Sequence, residues 1–261
     1  MSKVDLRGFH AFITGGSSGF GYEMAKTLMS NGATVTIAAR GGEKLENAYA
    51  SLKNEGYDIH AHAMDVRDAV SVGAVADWYA DNFDRLDMLV NNAGIGNRGI
   101  SKGLPGSHTP FYEIETQAFY DIVETNFIGY FLVARAFVPL ILRTGKGRVV
   151  NVSTSIRTMT ALGQLPYGPA RAGAEAMSAI MCEELRDMGV TVNILLPGGA
   201  SNTGFVTEDM REHFEARGLL PASILNDPIL FLASEKAEGL TGERIIGKEF
   251  SQWLEEKGIE I

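Results

Sequence analysis

The chain has 261 residues, 45% of them hydrophobic and 21% charged, proportions that suit a soluble globular protein with one sizeable core. A formal net charge of −9 argues against a nucleic-acid or anionic-membrane partner, and the single cysteine, Cys182, excludes an intrachain disulfide or a cysteine metal cluster. Met1 to Gly8 lacks the apolar core of a signal peptide and no run approaches about 18 uninterrupted apolar residues, so a reducing cytoplasm is the expected location.

The first apolar run, His10 to Ile13, predicts a strand. Residues Thr14 to Gly21 then read as a tight glycine turn, followed by a helix over Tyr22 to Ser30 with Ala25, Leu28 and Met29 on one face. Thr34 to Ala38 is a second strand, Glu43 to Asn54 a helix closed by Gly56, and Ile59 to Met64 a third strand. Asp68 suits the N-cap of a helix reaching about Phe83, and Met88 to Val90 is a short fourth strand ending at Asn91, Asn92, Ala93 and Gly94. A long helix is expected within 116–143, bent or shortened by Pro139, and then a fifth strand over Arg148 to Val152. Residues 165–188 form another long helix, Val190 to Leu196 a sixth strand and Arg244 to Ile246 a last one. This alternation predicts a single α/β domain, a Rossmann-like doubly wound parallel sheet of about seven strands with helices on both faces. Ligands of such sheets bind at the carboxyl ends of the strands. Two polar stretches on that side, 95–110 and 198–226, are candidate walls of a substrate site.

A glycine turn between a strand and a helix points backbone N–H groups and the positive helix end at one place, which suits a pyrophosphate. In Gly15, Ser17, Ser18, Gly19, Phe20 and Gly21 the spacing is wider than the usual dinucleotide fingerprint. After the second strand stand Ala39 and Arg40 where an NAD-binding fold places an acid; an arginine there suits a 2′-phosphate and favours NADP(H) over NAD(H). Asp65 and Val66 end the third strand, where a carboxylate can meet an adenine amino group; a turn or helix-entry aspartate is the plainer alternative.

Tyr167 and Arg171 are four residues apart at the start of a helix and share a face, and Pro169 is tolerable that early. A neighbouring cation favours a phenolate, so this phenol is a candidate acid/base that exchanges a proton with a carbonyl or alcohol oxygen. Thr154, flanked by Ser153 and Ser155, offers a hydroxyl for the same oxygen, and Asn126 is a polar residue on an apolar helix face, placed to hold a relay water. Packing residues, strand-end caps and surface charges are the alternatives. His60 and His62 alternate on a strand without a third metal ligand and read as an edge pair; His108 and His213 fall in the two variable stretches, and Cys182 reads as a packed helix residue.

Taken together, TGxxxGxG at 14–21, Asp65, NNAG at 91–94, Asn126, the hydroxyl run at 153–155, Tyr167, and Pro197 with Gly198 resemble the short-chain dehydrogenase/reductase family along nearly the whole chain. The resemblance implies that the glycine turn, Arg40, Asp65, Val66, Asn92, Ala93 and Gly94 bind the cofactor. It makes Tyr167 the acid/base and gives Arg171, in the place of the family's lysine, the ribose and the activation of the tyrosine. Pro197, Gly198, Ala200 and Thr203 would meet the nicotinamide end. It also implies pairing of the long helices in a homodimer or homotetramer. Two positions depart from the pattern: Arg171 replaces lysine, and Thr154 replaces the common serine. The expected function is an NADP(H)-dependent reductase or dehydrogenase of a small carbonyl or alcohol. The alternative, resting on those two departures, is a nucleotide-binding sensor or scaffold without the chemistry.

Overall fold

The central strands are too apolar to face water on either side, and the fold covers both faces of the sheet there. The edge strand Ile59–Ala63 carries two histidines and stays partly exposed. The computed structural model describes residues 4–97, 100, 108–203, 215 and 218–260. Strands β1 (His10–Thr14), β2 (Thr34–Ala39), β3 (Ile59–Ala63), β4 (Met88–Asn91), β5 (Gly147–Val152), β6 (Val190–Leu196) and β7 (Arg244–Ile246) pair in parallel in the order β3-β2-β1-β4-β5-β6-β7. Alternate residues feed two cores: Ala11 and Ile13 of β1 pack on one side with Met88 and Val90 of β4, while Phe12 and Leu89 pack on the other. Phe12 lies 4.1 Å from Phe137 and 5.9 Å from Tyr79 by ring centroids, so the second core is anchored by aromatics.

The order reverses between β1 and β4, which opens a crevice at their carboxyl ends. Register brings Ile13 level with Val90, Asn91 with Asn151, and Val152 with Leu195. The polar segments after β1, β4, β5 and β6 therefore emerge along one edge.

Helix α1 (Gly19–Ser30) starts three residues earlier than its apolar face indicates, so Gly19 to Gly21 form its first turn and the glycine turn proper ends at Ser18. Helices α2 (Glu43–Asn54) and α3 (Ala69–Asn82) match expectation, and Asp68 caps α3 by accepting from the Val70 N–H at 2.8 Å. The long helix is continuous: α4 (Thr116–Val123), a π turn (Glu124–Ile128) and α5 (Gly129–Leu142) run through Pro139 without a break. Pro139 lies in its last turn and costs the helix the one bond its missing N–H would make to the Arg135 carbonyl. By length and composition Thr116–Leu142 would cross a bilayer, at a hydropathy of 1.6, but half of that window is buried within the fold. Val133, Phe137 and Ile141 carry that apolar surface into the second core.

After β5 come a short helix α6 (Ile156–Thr160) and then α7 (Tyr167–Leu185), which opens on Tyr167 itself. Two further helices, Asn226–Ala233 and Phe250–Lys257, were not legible. The first is buried from Pro228 to Ala233, so it has no polar face and hence no period to read. His60 and His62 lie on the edge strand β3, with the His62 ring 3.7 Å from Trp78 and the His60 ring 5.1 Å from Phe83. Cys182 is buried in α7 beside the Thr241 hydroxyl, at 3.2 Å.

Candidate active site

The glycine turn is held from β4. Asn92 Nδ2 donates to the Thr14 carbonyl at 2.9 Å and the Gly15 carbonyl at 3.2 Å, while the Asn92 and Ala93 N–H groups each donate to Thr14 Oγ1 at 3.0 Å. Gly15 has φ of 67°, and a methyl group there would lie 2.9 Å from the Ala93 Cα, so neither its conformation nor its space admits a side chain. Ser18 precedes α1 in extended conformation and makes no side-chain cap, which leaves the first helical N–H groups facing the turn. That uncapped N-terminus beside bare glycine backbone fits a dinucleotide pyrophosphate. Thr203 lies over it, its Cβ 3.2 Å from where a Gly19 methyl would be.

Arg40 follows β2, is exposed and forms no ion pair with a described residue. Asp65 is engaged by its neighbour: Arg67 donates from Nε at 3.0 Å and Nη2 at 2.7 Å, and its Nη1 reaches Asp121 at 2.8 Å. This guanidinium holds the Asp65 carboxyl below its ordinary range. The Arg67 backbone N–H also donates to Oδ1 at 3.0 Å, so both carboxylate oxygens are occupied from Arg67 and an adenine amino group would have to share one of them. Val66 is buried against the segment at Gly129.

A polar chain crosses the sheet beneath the site. Asn91 Nδ2 donates to Asn151 Oδ1 at 2.9 Å, Asn151 Nδ2 to Ser178 Oγ at 2.8 Å, and Ser178 to the Ala174 carbonyl at 2.7 Å. It ties β4 and β5 to α7, the helix that presents Tyr167. On the outer side Arg244 of β7 pairs with Glu175 of α7 at 3.0 Å and donates to the Thr154 carbonyl at 2.7 Å. The backbone of Thr154 is thereby fixed. The flanking hydroxyls differ: Ser155 caps α6, accepting from Thr158 N–H at 3.1 Å, while Ser153 Oγ is buried without a partner.

Asn126 departs from expectation. It is fully buried in the π turn; its Nδ2 donates to the Ile95 carbonyl at 2.8 Å and the Ile122 carbonyl at 3.0 Å, and its Oδ1 accepts from the Ile95 N–H at 3.2 Å. With three of four hydrogen-bonding positions filled inside the fold, its side chain clamps the segment after β4 and keeps one Oδ1 lone pair beside Gly94.

Arg171 departs further. A side chain meant for an exposed ribose should be accessible, yet this one is 2% exposed. Nη1 donates to Tyr130 Oη at 2.6 Å and to the Val152 carbonyl at 2.9 Å, and the Tyr130 hydroxyl donates to the same carbonyl at 3.0 Å. The guanidinium carbon lies 5.2 Å from the Tyr130 ring centre and 5.5 Å from that of Tyr167. The cation sits between two phenols, beneath Gly94, and forms no ion pair with a described carboxylate. Burial pulls against its charge, but Tyr130 and Tyr167 offset that, so Arg171 is held above its ordinary pKa. Burial pushes the Tyr130 phenol up against the pull of Arg171, so Tyr130 remains protonated.

Pro197, Gly198 and Ala200 continue from β6: the Pro197 carbonyl accepts from Lys248 N–H at 3.0 Å and the Ala200 carbonyl from Leu220 N–H at 2.9 Å. Gly198, at φ of 90°, makes the turn. Of the variable stretches, residues 98–99, 101–107, 204–214 and 216–217 lie outside the described residues, and so does His213. His108 is exposed and packs beside Gly163. Sequence reading placed Thr14 and Asn91 in their motifs without giving either side chain a task, and it missed the site contacts of Asn151, Tyr130 and Arg244, none of which carries a signal in the sequence.

A family model described as short chain dehydrogenase matches residues 9–213. The 3-oxoacyl-[acyl-carrier-protein] reductase FabG of Vibrio cholerae is 30% identical over 256 residues, covering 93% of this chain and 96% of that protein. Among solved structures, the citronellol catabolism dehydrogenase of Pseudomonas aeruginosa aligns at a TM-score of 0.77 and 28% identity, over 95% of this chain and 97% of its own. Actinorhodin polyketide ketoreductase with NADPH aligns at a TM-score of 0.78 and 25% identity, over 93% and 97%. The chain thus belongs to the short-chain dehydrogenase family of oxidoreductases.

Proposed function

We propose that the protein is an NADP(H)-dependent oxidoreductase that interconverts a small-molecule carbonyl and a secondary alcohol, with Tyr167 as its acid/base. The observation that carries this reading is the Arg171 guanidinium, its carbon 5.5 Å from the Tyr167 ring centre, a cation set beside the phenol at the crevice edge. Bound NADP(H) supplies or accepts the hydride. The backbone from Gly15 to Gly21 holds its pyrophosphate, Arg40 its 2′-phosphate, and Asp65 with Val66 its adenine. Asn92, Ala93 and Gly94 line its inner side, and Pro197, Gly198, Ala200 and Thr203 close on the nicotinamide end. In reduction Tyr167 passes a proton to the carbonyl oxygen, Thr154 donates a hydrogen bond to that oxygen, and Arg171 stabilises the phenolate left behind. Names of relatives support a ketone reduced with NADPH: one is a 3-oxoacyl reductase, another a ketoreductase with NADPH. Exposed Phe131 on α5 and Ile180 on α7 support a homodimer or homotetramer, working in the cytoplasm.

Incubating the native protein with NADPH and a panel of ketones, quinones and keto sugars should bleach the nicotinamide absorbance with at least one of them. The inward turn of Arg171 favours a second reading, a nucleotide-binding sensor. Tight NADPH binding with no turnover across the panel would establish that one instead.

Cofactor preference has its own test. Losing one charge-assisted contact costs about 1.5–3 kcal/mol, so Arg40→Ala should weaken NADPH by roughly 10- to 150-fold. NADH lacks the 2′-phosphate and should be nearly unaffected. Equal weakening of both, measured by titration of bound cofactor, would remove Arg40 from the phosphate site.

A further inference from the structure

We propose that Tyr130, which belongs to none of the motifs above, is a positioning residue for the Tyr167–Arg171 pair. The proposal rests on the oxidoreductase reading and extends it by one side chain.

The reason lies in how a guanidinium is steered. Arg171 reaches its place on a flexible stem, and its Nε is buried without a partner. Its orientation therefore depends on what the fork meets. Nη1 meets two acceptors fixed relative to each other: the Val152 carbonyl at 2.9 Å and Tyr130 Oη at 2.6 Å. Tyr130 is itself locked, because its ring is fully buried and its hydroxyl proton goes to the Val152 carbonyl at 3.0 Å. That leaves a hydroxyl lone pair facing Arg171, and the triangle sets the plane of the fork. On the other side Nη2 abuts Gly94, next to Asn126 Oδ1. Phenylalanine at 130 would fill the same volume and leave Nη1 with one acceptor, free to swing about it.

The groups around the cluster bear on any pH effect. Helix α5 contributes Tyr130, α7 contributes Tyr167 and Arg171, β5 contributes the Val152 carbonyl, and the π turn contributes the neutral Asn126 amide. The titratable groups acting on Tyr130 are Arg171 and Tyr167, so a change at 130 is felt through those two.

Tyr130→Phe tests this directly. Expected is a fall in kcat of roughly tenfold or more, a part of what general acid–base catalysis contributes, with the NADPH Kd unchanged. The alkaline limb of the pH–rate profile should move up. Arg171→Lys should make the enzyme indifferent to Tyr130→Phe, because a compact ammonium needs no two-point hold. A readout independent of turnover is the ultraviolet tyrosinate titration, each protein subtracted from its Tyr167→Phe counterpart. The Tyr167 step should shift to higher pH when Tyr130 is phenylalanine. If Tyr130→Phe lowers only the melting temperature, with pH profile and tyrosinate step in place, Tyr130 is a packing residue and the proposal fails. If the native protein turns over nothing, the oxidoreductase reading fails, and the tyrosinate titration alone decides the positioning role.

Discussion

Arg171→Met is expected to slow turnover about a hundredfold or more and to lower the melting temperature. Removing half of a buried ion pair usually destabilises, because the partner charge is stranded. Here no described carboxylate would be stranded, since the guanidinium donates to a phenol and a carbonyl, and Tyr130 keeps its bond to Val152 when the arginine is gone. The loss comes from the cation itself: Arg171 is held above its ordinary pKa, so the fold favours its charge, and each lost charged hydrogen bond costs about 1.5–3 kcal/mol. Tyr167→Phe should be as damaging to turnover with little change in melting, as the Tyr167 side chain is only partly buried. An unchanged or higher melting temperature for Arg171→Met would show that the cation is strain held for function rather than a structural necessity.

Gly94→Ala should damage both stability and activity, and a second glycine calibrates it. The added methyl falls on Arg171 Nη2 and lies 2.7 Å from Asn126 Oδ1; the guanidinium is anchored through Nη1 and Oδ1 through the Ile95 N–H. Gly94 has no positive φ, so the effect is crowding and not backbone strain. Overpacking of this kind costs about 1–3 kcal/mol, and it pushes the guanidinium off Tyr167. In contrast a methyl at Gly73, inside α3, meets nothing within 4 Å. Gly73→Ala should stabilise by about 0.5–1 kcal/mol through helix propensity alone. Equal melting points for the two variants would refute the crowding argument.

The strands were legible because they are short runs rich in apolar and β-branched residues set off by turn residues, as at Thr34 to Ala39 after Asn31 and Gly32. The first helices were legible because they carry one apolar face. What failed were helices without a polar face, such as Asn226–Ala233, and the start of α1, where glycines that signal a turn prove helical. In the site, Gly15, Asn92 and Tyr167 could be singled out from the sequence because residue type and spacing mark them, and the structure sets Gly15 in the turn that Asn92 holds and Tyr167 at the start of α7. Tyr130 was invisible for the opposite reason. An aromatic in an apolar helix reads as core, and only the packing of β5 against α7 turns its hydroxyl into a partner for Arg171. Arg171 shows the limit of spacing itself: four residues from Tyr167 puts it on the right face, but whether it points to solvent or inward depends on what lies behind.

The π turn has a consequence for how this helix tolerates change. Its Gly129 N–H bonds back five residues to the Glu124 carbonyl, one more than an α-helix allows, so the segment contains an extra residue. An α-helix advances about 100° per residue, and everything after the turn is rotated by that angle relative to an uninterrupted helix. The turn thus absorbs one surplus residue, and α5 keeps the heading it would have if that residue were absent. Deleting a single residue from 124–128 would restore regular winding and leave Tyr130 at the Val152 carbonyl and Phe137 in its aromatic cluster. A second deletion would have no surplus to draw on and would carry α5 about a quarter-turn round, so the π turn gives this helix slack for one change in length and no more.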